Sequence, residues 1–299
     1  ENSGSAFFCY GFAWGINNGL LDRDLFEKPM VKAWKELTQY INKEGRLGYV
    51  QPVGKDPKPY DEDSWHEFGT GAFLLAASEY INFLKNPVPK IPISYNKKNL
   101  FYENKFFNSS DIKDWLLEGE AEVLIKDGWL EMYSPDQKAH HVFWCPKELP
   151  SNFMAEWELQ NLNPDAGLCI VFFAAKGING KDVMHPSLKK RTGVFRQYTQ
   201  SDLNNYHISY YANNPKKPNR PFAHIRKNKG FVTVQYGEQG IPASSTLVHK
   251  VYLVKKENQI TMTIDGREII NWKDDGNKYG LVHQEGKFAF RQMQWSHFR

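Results

Sequence analysis

The chain has 299 residues, of which 41% are hydrophobic and 24% charged, with 38 basic against 34 acidic side chains and a net charge of +4. That length allows one large core or two ordinary ones, and the scattered, nearly balanced charge removes any electrostatic demand for a nucleic-acid partner. No apolar run reaches the roughly eighteen residues a membrane span requires, so no membrane segment is read.

An aromatic share of 15%, including nine Trp, suits stacking on sugar faces and equally the core of a β-sandwich. Cys9, Cys145 and Cys169 are odd in number and lack metal-ligand spacing, so buried free thiols are expected. The chain starts at Glu1 without a Met and stops at Arg299 within an apparent strand, and both ends read as cut.

Residues 1–84 have helical periodicity. Ala6–Asn17 places Phe7, Phe8, Phe12, Ala13 and Ile16 at helical spacing, with Gly19 as a stop. Pro29 suits the first turn of a second helix that presents Val31, Trp34, Leu37 and Ile41 and ends at Gly45. After a loop over 46–68, Gly71–Leu84 predicts a third helix with Phe73, Leu74, Ala77 and Ile81 inward. Three helices around a long loop make a poor independent core, so this segment reads as part of a larger helical array.

The motifs Ser3-Gly-Ser-Ala-Phe-Phe, Gly11-Phe-Ala-Trp-Gly-Ile-Asn-Asn-Gly-Leu-Leu-Asp22, Gly48-Tyr-Val-Gln-Pro-Val-Gly54 and Gly69-Thr-Gly-Ala-Phe-Leu-Leu-Ala76 carry a family resemblance. This part resembles the C-terminal end of the unsaturated glucuronyl and rhamnogalacturonyl hydrolases. That resemblance implies a partial α/α six-barrel and, in the complete family, hydration of the double bond of an unsaturated uronic acid. No residue here matches the family's catalytic aspartates, so hydrolysis is not carried over. The missing barrel portion of the same protein is the implied partner of this segment.

Residues 85–99, with Pro87, Pro89 and Pro92, read as an extended linker. From Leu100 the period changes to two. Strands are predicted at Leu100–Phe107, Ala121–Ile125, Trp129–Tyr133, His141–Cys145, Phe153–Leu159, Gly167–Ala175, Val194–Gln200 and Asn205–Tyr211, and six more follow between Phe222 and Gln294. Asp127-Gly128 and Asp265-Gly266 are two-residue hairpin turns. The nearly all-apolar Gly167–Ala175 predicts a central strand, and 176–192 a long loop. The fold class is therefore mainly β, a β-jelly-roll sandwich over 100–299 preceded by the helical fragment.

His141-Val-Phe-Trp-Cys-Pro146, Lys190-Arg-Thr-Gly193, Tyr206-His-Ile-Ser-Tyr-Tyr211, Ile225-Arg-Lys-Asn228 and Phe290-Arg-Gln-Met293 carry a second resemblance. This part is similar to the YesU-type family of bacterial carbohydrate-utilisation clusters. The resemblance implies a concanavalin-like jelly roll and work on uronic-acid oligosaccharides, including dehydration of a terminal uronate. It also implies a bacterial periplasmic or extracellular location, with the cytoplasm left open.

Chemistry concentrates in the stretch Gly193–Lys229, where Arg196, Tyr198, His207, Ser209, Tyr210, Tyr211, Arg220, His224, Arg226 and Lys227 follow Arg191. Strand alternation puts His207, Ser209 and Tyr211 on one face and Tyr206, Ile208 and Tyr210 on the other. A polar row of this kind suits an anionic, hydroxyl-rich sugar, and it is equally what a half-buried strand with a solvated face looks like.

β-Elimination from a uronate needs a cation on the carboxylate, a base for the C5 proton and an acid for the departing C4 oxygen. Arg226 or Arg191 suits the first role, His207 the second, and Tyr211 or Tyr198 the third or the base. His141, Trp144, Ser209, Arg196 and Lys227 complete the expected substrate contacts. The expected function is thus a dehydratase or lyase on uronate oligosaccharides, with a non-catalytic carbohydrate-binding module as the alternative.

A glycosidase would need facing carboxylates. Glu156 and Glu158 have a suitable spacing but read better as an exposed strand face. No cofactor is expected. Asp274-Asp275-Gly276 suits Ca²⁺ and equally an ordinary turn. No Ser-His-Asp order of a known hydrolase class stands out. The sugar, its sulfation and the leaving group are not encoded in these motifs.

Overall fold

The computed structural model describes residues 1–18, 20–21, 23–54, 58–85, 99–136, 138–213, 222–243 and 245–299. Gly19 and Asp22, Arg220 and nearly all of the expected linker lie outside the described residues. The chain divides into two compact units, Glu1–Lys90 and Ile91–Arg299.

The first unit holds α1 (Asn2–Asn17), α2 (Arg23–Leu37) and α3 (Glu67–Lys85). Glu1 caps α1 by accepting from the Ser3 and Gly4 amides, which starts the helix four residues before the expected position. Pro29 lies inside α2, not at its start. The buried stripe also differs from expectation. Ala6, Cys9, Ala13, Ala72 and Ala76 are buried, whereas Phe7, Phe8, Leu74 and Ile81 are exposed. Small side chains let α1 and α3 approach closely, so the large apolar groups turn away from that contact.

The second unit is mostly β. Its strands are β1 (Leu116–Gly119), β2 (Glu122–Lys126), β3 (Trp129–Tyr133), β4 (His140–Leu149), β5 (Phe153–Gln160), β6 (Gly167–Gly177) and β7 (Leu203–Asn213). There follow β8 (Phe222–Asn228), β9 (Val232–Gln239), β10 (Val248–Lys256), β11 (Gln259–Ile264), β12 (Arg267–Lys273), β13 (Gly286–Met293) and β14 (His297–Phe298). A seven-stranded antiparallel sheet in the order β1-β4-β13-β6-β7-β8-β9 faces a four-stranded sheet, β12-β11-β10-β5, and a three-stranded sheet β14-β3-β2 adjoins them.

Both expected Asp-Gly turns close hairpins. Asp127 and Gly128 have φ of 51° and 74°, and Asp265 and Gly266 have φ of 49° and 74°, the left-handed pair that such turns demand. The apolar β6 is central, and all three cysteines are free and buried.

Two expected strands are absent. Over 100–107, Asn104 Oδ1 accepts from the Phe106 amide and Asp111 Oδ2 from the Phe107 amide, so side chains take the bonds a ladder would need. Val194–Gln200 instead contains the short helix α4 (Arg196–Thr199), because Gln197 Oε1 accepts from the Thr192 amide and folds the segment back.

The inner face of the seven-stranded sheet packs Phe143, Val171, Phe173, Ile208 and Ile225 against the four-stranded sheet's Val251, Leu253 and Met262. The outer face is covered in its middle by residues 183–203, where Val183, Leu188, Tyr198 and Leu203 lie on Val142, Trp144, Ile170 and Phe172. The expected long loop is thus a packed cover.

Candidate active site on the seven-stranded sheet

The register lines up two rows across the outer face. One runs from Glu118 through Arg291, Ser209 and His224 to Tyr236. The next runs from Trp144 through Phe172, His207 and Arg226 to Thr233. His207 and Arg226 are direct partners, as are Ser209 and His224.

Tyr211 does not join them. Cys169 pairs with Tyr211 and Ile170 with Ser209, so Tyr210 is an extra residue in β7, and the bulge sends Tyr211 to the inner face. There its hydroxyl donates to the Ala243 carbonyl at 2.9 Å and accepts from Asn161 Nδ2 at 2.8 Å. Burial pushes its phenol up to about 12.

Lys227 also faces inward. Its ammonium meets Asp274 Oδ2 and the Gly280 carbonyl, each at 2.6 Å, and Tyr206 donates to the same carboxylate. Burial acts to raise the Asp274 carboxyl, and the hydrogen bonds from Lys227, Tyr206 and the Gly276 amide outweigh it and hold it below the ordinary value. Asp275 Oδ1 accepts from the Asn277 and Lys278 amides, so this turn spends its carboxylates on the protein's own donors.

His141 is the third residue turned inward. It meets Ser134 Oγ at 3.1 Å, and burial pushes its imidazole down to about 3. Its neighbour His140 is the one on the outer face, against Arg291. Trp144 is on the outer face but fully covered, donating to Glu118 Oε2 at 2.9 Å.

Arg191 lies on the covering segment and is held by Glu118 at 2.8 Å and the Val183 carbonyl at 2.6 Å. Tyr198 is buried beside it, accepting from the Gly193 amide. Burial, with Glu118 adding to it, pushes its phenol far up. Both residues brace the cover. Arg196 is exposed on α4.

His207 is fully buried, with Phe172, Phe195 and Phe231 around its ring. A chain of amides fixes its tautomer. Asn205 donates to the Tyr198 carbonyl at 2.8 Å, so its Oδ1 must accept. Asn228 gives one hydrogen to that oxygen and the other to His207 Nδ1, both at 2.8 Å. The imidazole is therefore neutral with its hydrogen on Nε2, a donor and not a base.

Arg226 and His224 are in contact on the outer face. Arg226 donates from Nε to Thr233 Oγ1 at 2.8 Å and from Nη1 to His224 Nε2 at 2.6 Å, with its guanidinium 4.2 Å over the Phe231 ring. A guanidinium only donates, so His224 Nε2 is the acceptor and its lone pair is present. Tyr236 stands opposite His224 with its ring centroid at 6.3 Å and is 74% exposed. Sequence reasoning missed Tyr236 and Arg291. Both sit in runs read only as strands, and cross-strand register is what reveals them.

Elsewhere, Glu156 pairs with Lys250 at 3.1 Å on the exposed side of the four-stranded sheet. Ser245 Oγ lies 2.7 Å from His249 Nε2, and His249 Nδ1 2.5 Å from Asp265 Oδ2. Sequence order gave no hint of this chain. Ser245 is buried and accepts from the Leu247 amide, while Asp265 Oδ1 accepts from the Lys250 amide, so the group pins the β11–β12 hairpin to β10.

Residues 99–297 match the family described as a domain of unknown function, DUF1961. The chain belongs to this family. The Bacillus subtilis protein YesU, described as uncharacterized, is 35% identical to this DUF1961 chain over 203 residues, 67% of this chain and 91% of YesU. A crystal structure of a Bacillus subtilis protein of unknown function with a galectin-like fold superposes with a TM-score of 0.64 at 34% identity, over 66% of this chain and 91% of that one.

Residues 1–84 match Glycosyl Hydrolase Family 88. The unsaturated 3S-rhamnoglycuronyl hydrolase of Formosa agariphila is 52% identical over 81 residues, 27% of this chain and 22% of that enzyme. The chain thus spans about a fifth of that hydrolase's length. The DUF1961 sandwich is galectin-like, and the helices ahead of it are a fragment of a carbohydrate-processing family.

Proposed function

We propose that the sandwich binds uronate-containing oligosaccharides at Arg226, His224 and Tyr236 and eliminates across C4 and C5. The observation that carries this reading is the Arg226–His224 contact beside an exposed phenol. A substrate carboxylate taking the guanidinium fork draws Nη1 away from His224 Nε2 and releases that lone pair as the base. The C5 proton passes to His224, the C4–O bond breaks, and Tyr236 gives its proton to the departing oxygen. Water or a sugar alcohol leaves, and a 4,5-unsaturated uronate remains.

That product is the substrate type named for the hydrolase that the helical unit matches, which gives the two parts one chemical logic. Phe8, Leu25, Leu74 and Leu84 are 56–69% exposed on the helices, as expected where further barrel helices pack. We assign that role to the remaining barrel portion of the same protein.

The test mixes the full chain with saturated uronate oligosaccharides and follows the ultraviolet absorbance of the conjugated product. Arg226→Lys, His224→Ala and Tyr236→Phe should each lower the rate on the order of a hundredfold or more. Binding without any chromophore ends the elimination reading and leaves a carbohydrate-binding module, a role to which the galectin-like fold is suited.

A further inference from the structure

Arg291 is wholly buried in the middle of the outer face. Its contacts are His140 Nδ1 at 3.0 Å, the Met293 sulfur at 3.3 Å and the Phe195 ring, over which the guanidinium stacks at 4.3 Å. Its Nε has no hydrogen-bond partner, and no carboxylate pairs with it among the described residues. Glu118, in the same row, is taken by Arg191.

Burial lowers the Arg291 guanidinium to about 9, which still leaves it charged at neutral pH. A lone charge in such a place is costly unless an opposite charge arrives. The other buried cation of this sheet, Lys227, has its aspartate; Arg291 has an imidazole, a thioether, a ring and the nearby Tyr198 phenol, but no carboxylate among the described residues.

The ring that covers Arg291 is itself only partly buried, at the outer side of the covering segment. Phe195 immediately precedes the four-residue α4. Val194 and Arg196 on either side are exposed. The same ring also lies 5.3 Å from His207 and 5.5 Å from Phe231. Lifting Phe195 therefore uncovers Arg291 and His207 together and extends the face from Arg226 across the sheet.

We propose that Arg291 is a second oxyanion-binding site, which takes a sulfate-ester or carboxylate group of a sugar chain in place of the Phe195 ring. Arg291 and His224 are three strands apart, roughly 14 Å, so one extended oligosaccharide reaches both. The site stands on the surroundings of Arg291 alone and does not depend on elimination at Arg226.

The test is thermal unfolding of the full chain with sodium sulfate, sodium acetate or, at matched ionic strength, sodium chloride. A ligand that binds the folded state raises the midpoint. Sulfate or acetate should raise the wild-type midpoint by several degrees more than it raises that of R291M, and the stronger anion identifies the group. General salting-out by sulfate acts on both proteins and cancels in the difference.

Without added anion, R291M should unfold at the wild-type temperature or above it, because an apolar side chain of similar length removes an uncompensated charge. F195A should respond at a several-fold lower anion concentration. An R291M midpoint well below the wild type in chloride marks the guanidinium as a structural strut and overturns the proposal. Equal anion responses in wild type and R291M, or an F195A response no more sensitive than the wild type, also overturn it.

Discussion

Both faces of the seven-stranded sheet bury polar side chains, but they satisfy them differently. On the inner face each charged or phenolic group has a dedicated partner: Lys227 with Asp274, Tyr206 with the same carboxylate, and Tyr211 with Asn161 and the Ala243 carbonyl. On the outer face Arg191 has Glu118, while two other cations meet imidazoles, Arg226 on His224 and Arg291 on His140. The Arg291 guanidinium, on an imidazole and with no carboxylate among the described residues, keeps its charge uncompensated, whereas the Lys227 ammonium on a carboxylate has spent it. The inner face spends its charges on the fold, and the outer face keeps at least one, on Arg291, without a carboxylate among the described residues.

The largest effect that separates them is on folding. Lys227→Ala leaves the Asp274 carboxylate buried without its cation and should cost about 3–5 kcal/mol in urea unfolding. Arg226→Ala should cost far less and abolish turnover of uronate oligosaccharides. Equal losses of stability from the two substitutions would show that the faces do not differ in kind.

Acid sharpens the comparison next. His141 and His283 are held neutral by burial, at about 3 and about 4. Both values are lowered, so below the ordinary histidine range the unfolded chain takes up protons that the folded chain refuses. Their contribution to stability is complete above about pH 6.5 and is lost progressively as the pH falls toward those values. Urea midpoints measured from pH 7 to pH 4 should fall steadily, and His141→Gln should flatten the slope. An unchanged slope would mean that His141 is not neutral in the fold.

Much of this sandwich was legible beforehand, for local reasons. The Asp-Gly turns need no tertiary context, and the apolar run of β6 has no place but the centre of a sheet. Most of what was not legible depends on partners distant in sequence, and the rest on local side-chain hydrogen bonds that compete with a ladder. The helices bury alanines and expose phenylalanines because of how closely α1 and α3 approach, and a single-helix pattern cannot show that. Val194–Gln200 has strand-forming residues, but Gln197 folds it back. Arg226 and His224 stood out by residue type, but their contact, and Tyr236 opposite His224, became evident only through register, and Arg291 only through what fails to surround it.

The smallest expected effect falls on the residue that alternation misplaced. With Tyr210 bulged, Tyr211 faces inward, its ring edge-on to Phe298 and its hydroxyl tied to Asn161 and Ala243. Tyr211→Phe keeps the ring packing and removes one hydroxyl, so it should cost about 1 kcal/mol in urea unfolding. Turnover and oligosaccharide affinity should stay within twofold of the wild type, because no part of that side chain reaches the outer face. A large loss of turnover at full stability would mean that the phenol takes part in the chemistry. The bulge, and with it the separation of the two faces, would then be absent from the protein in solution.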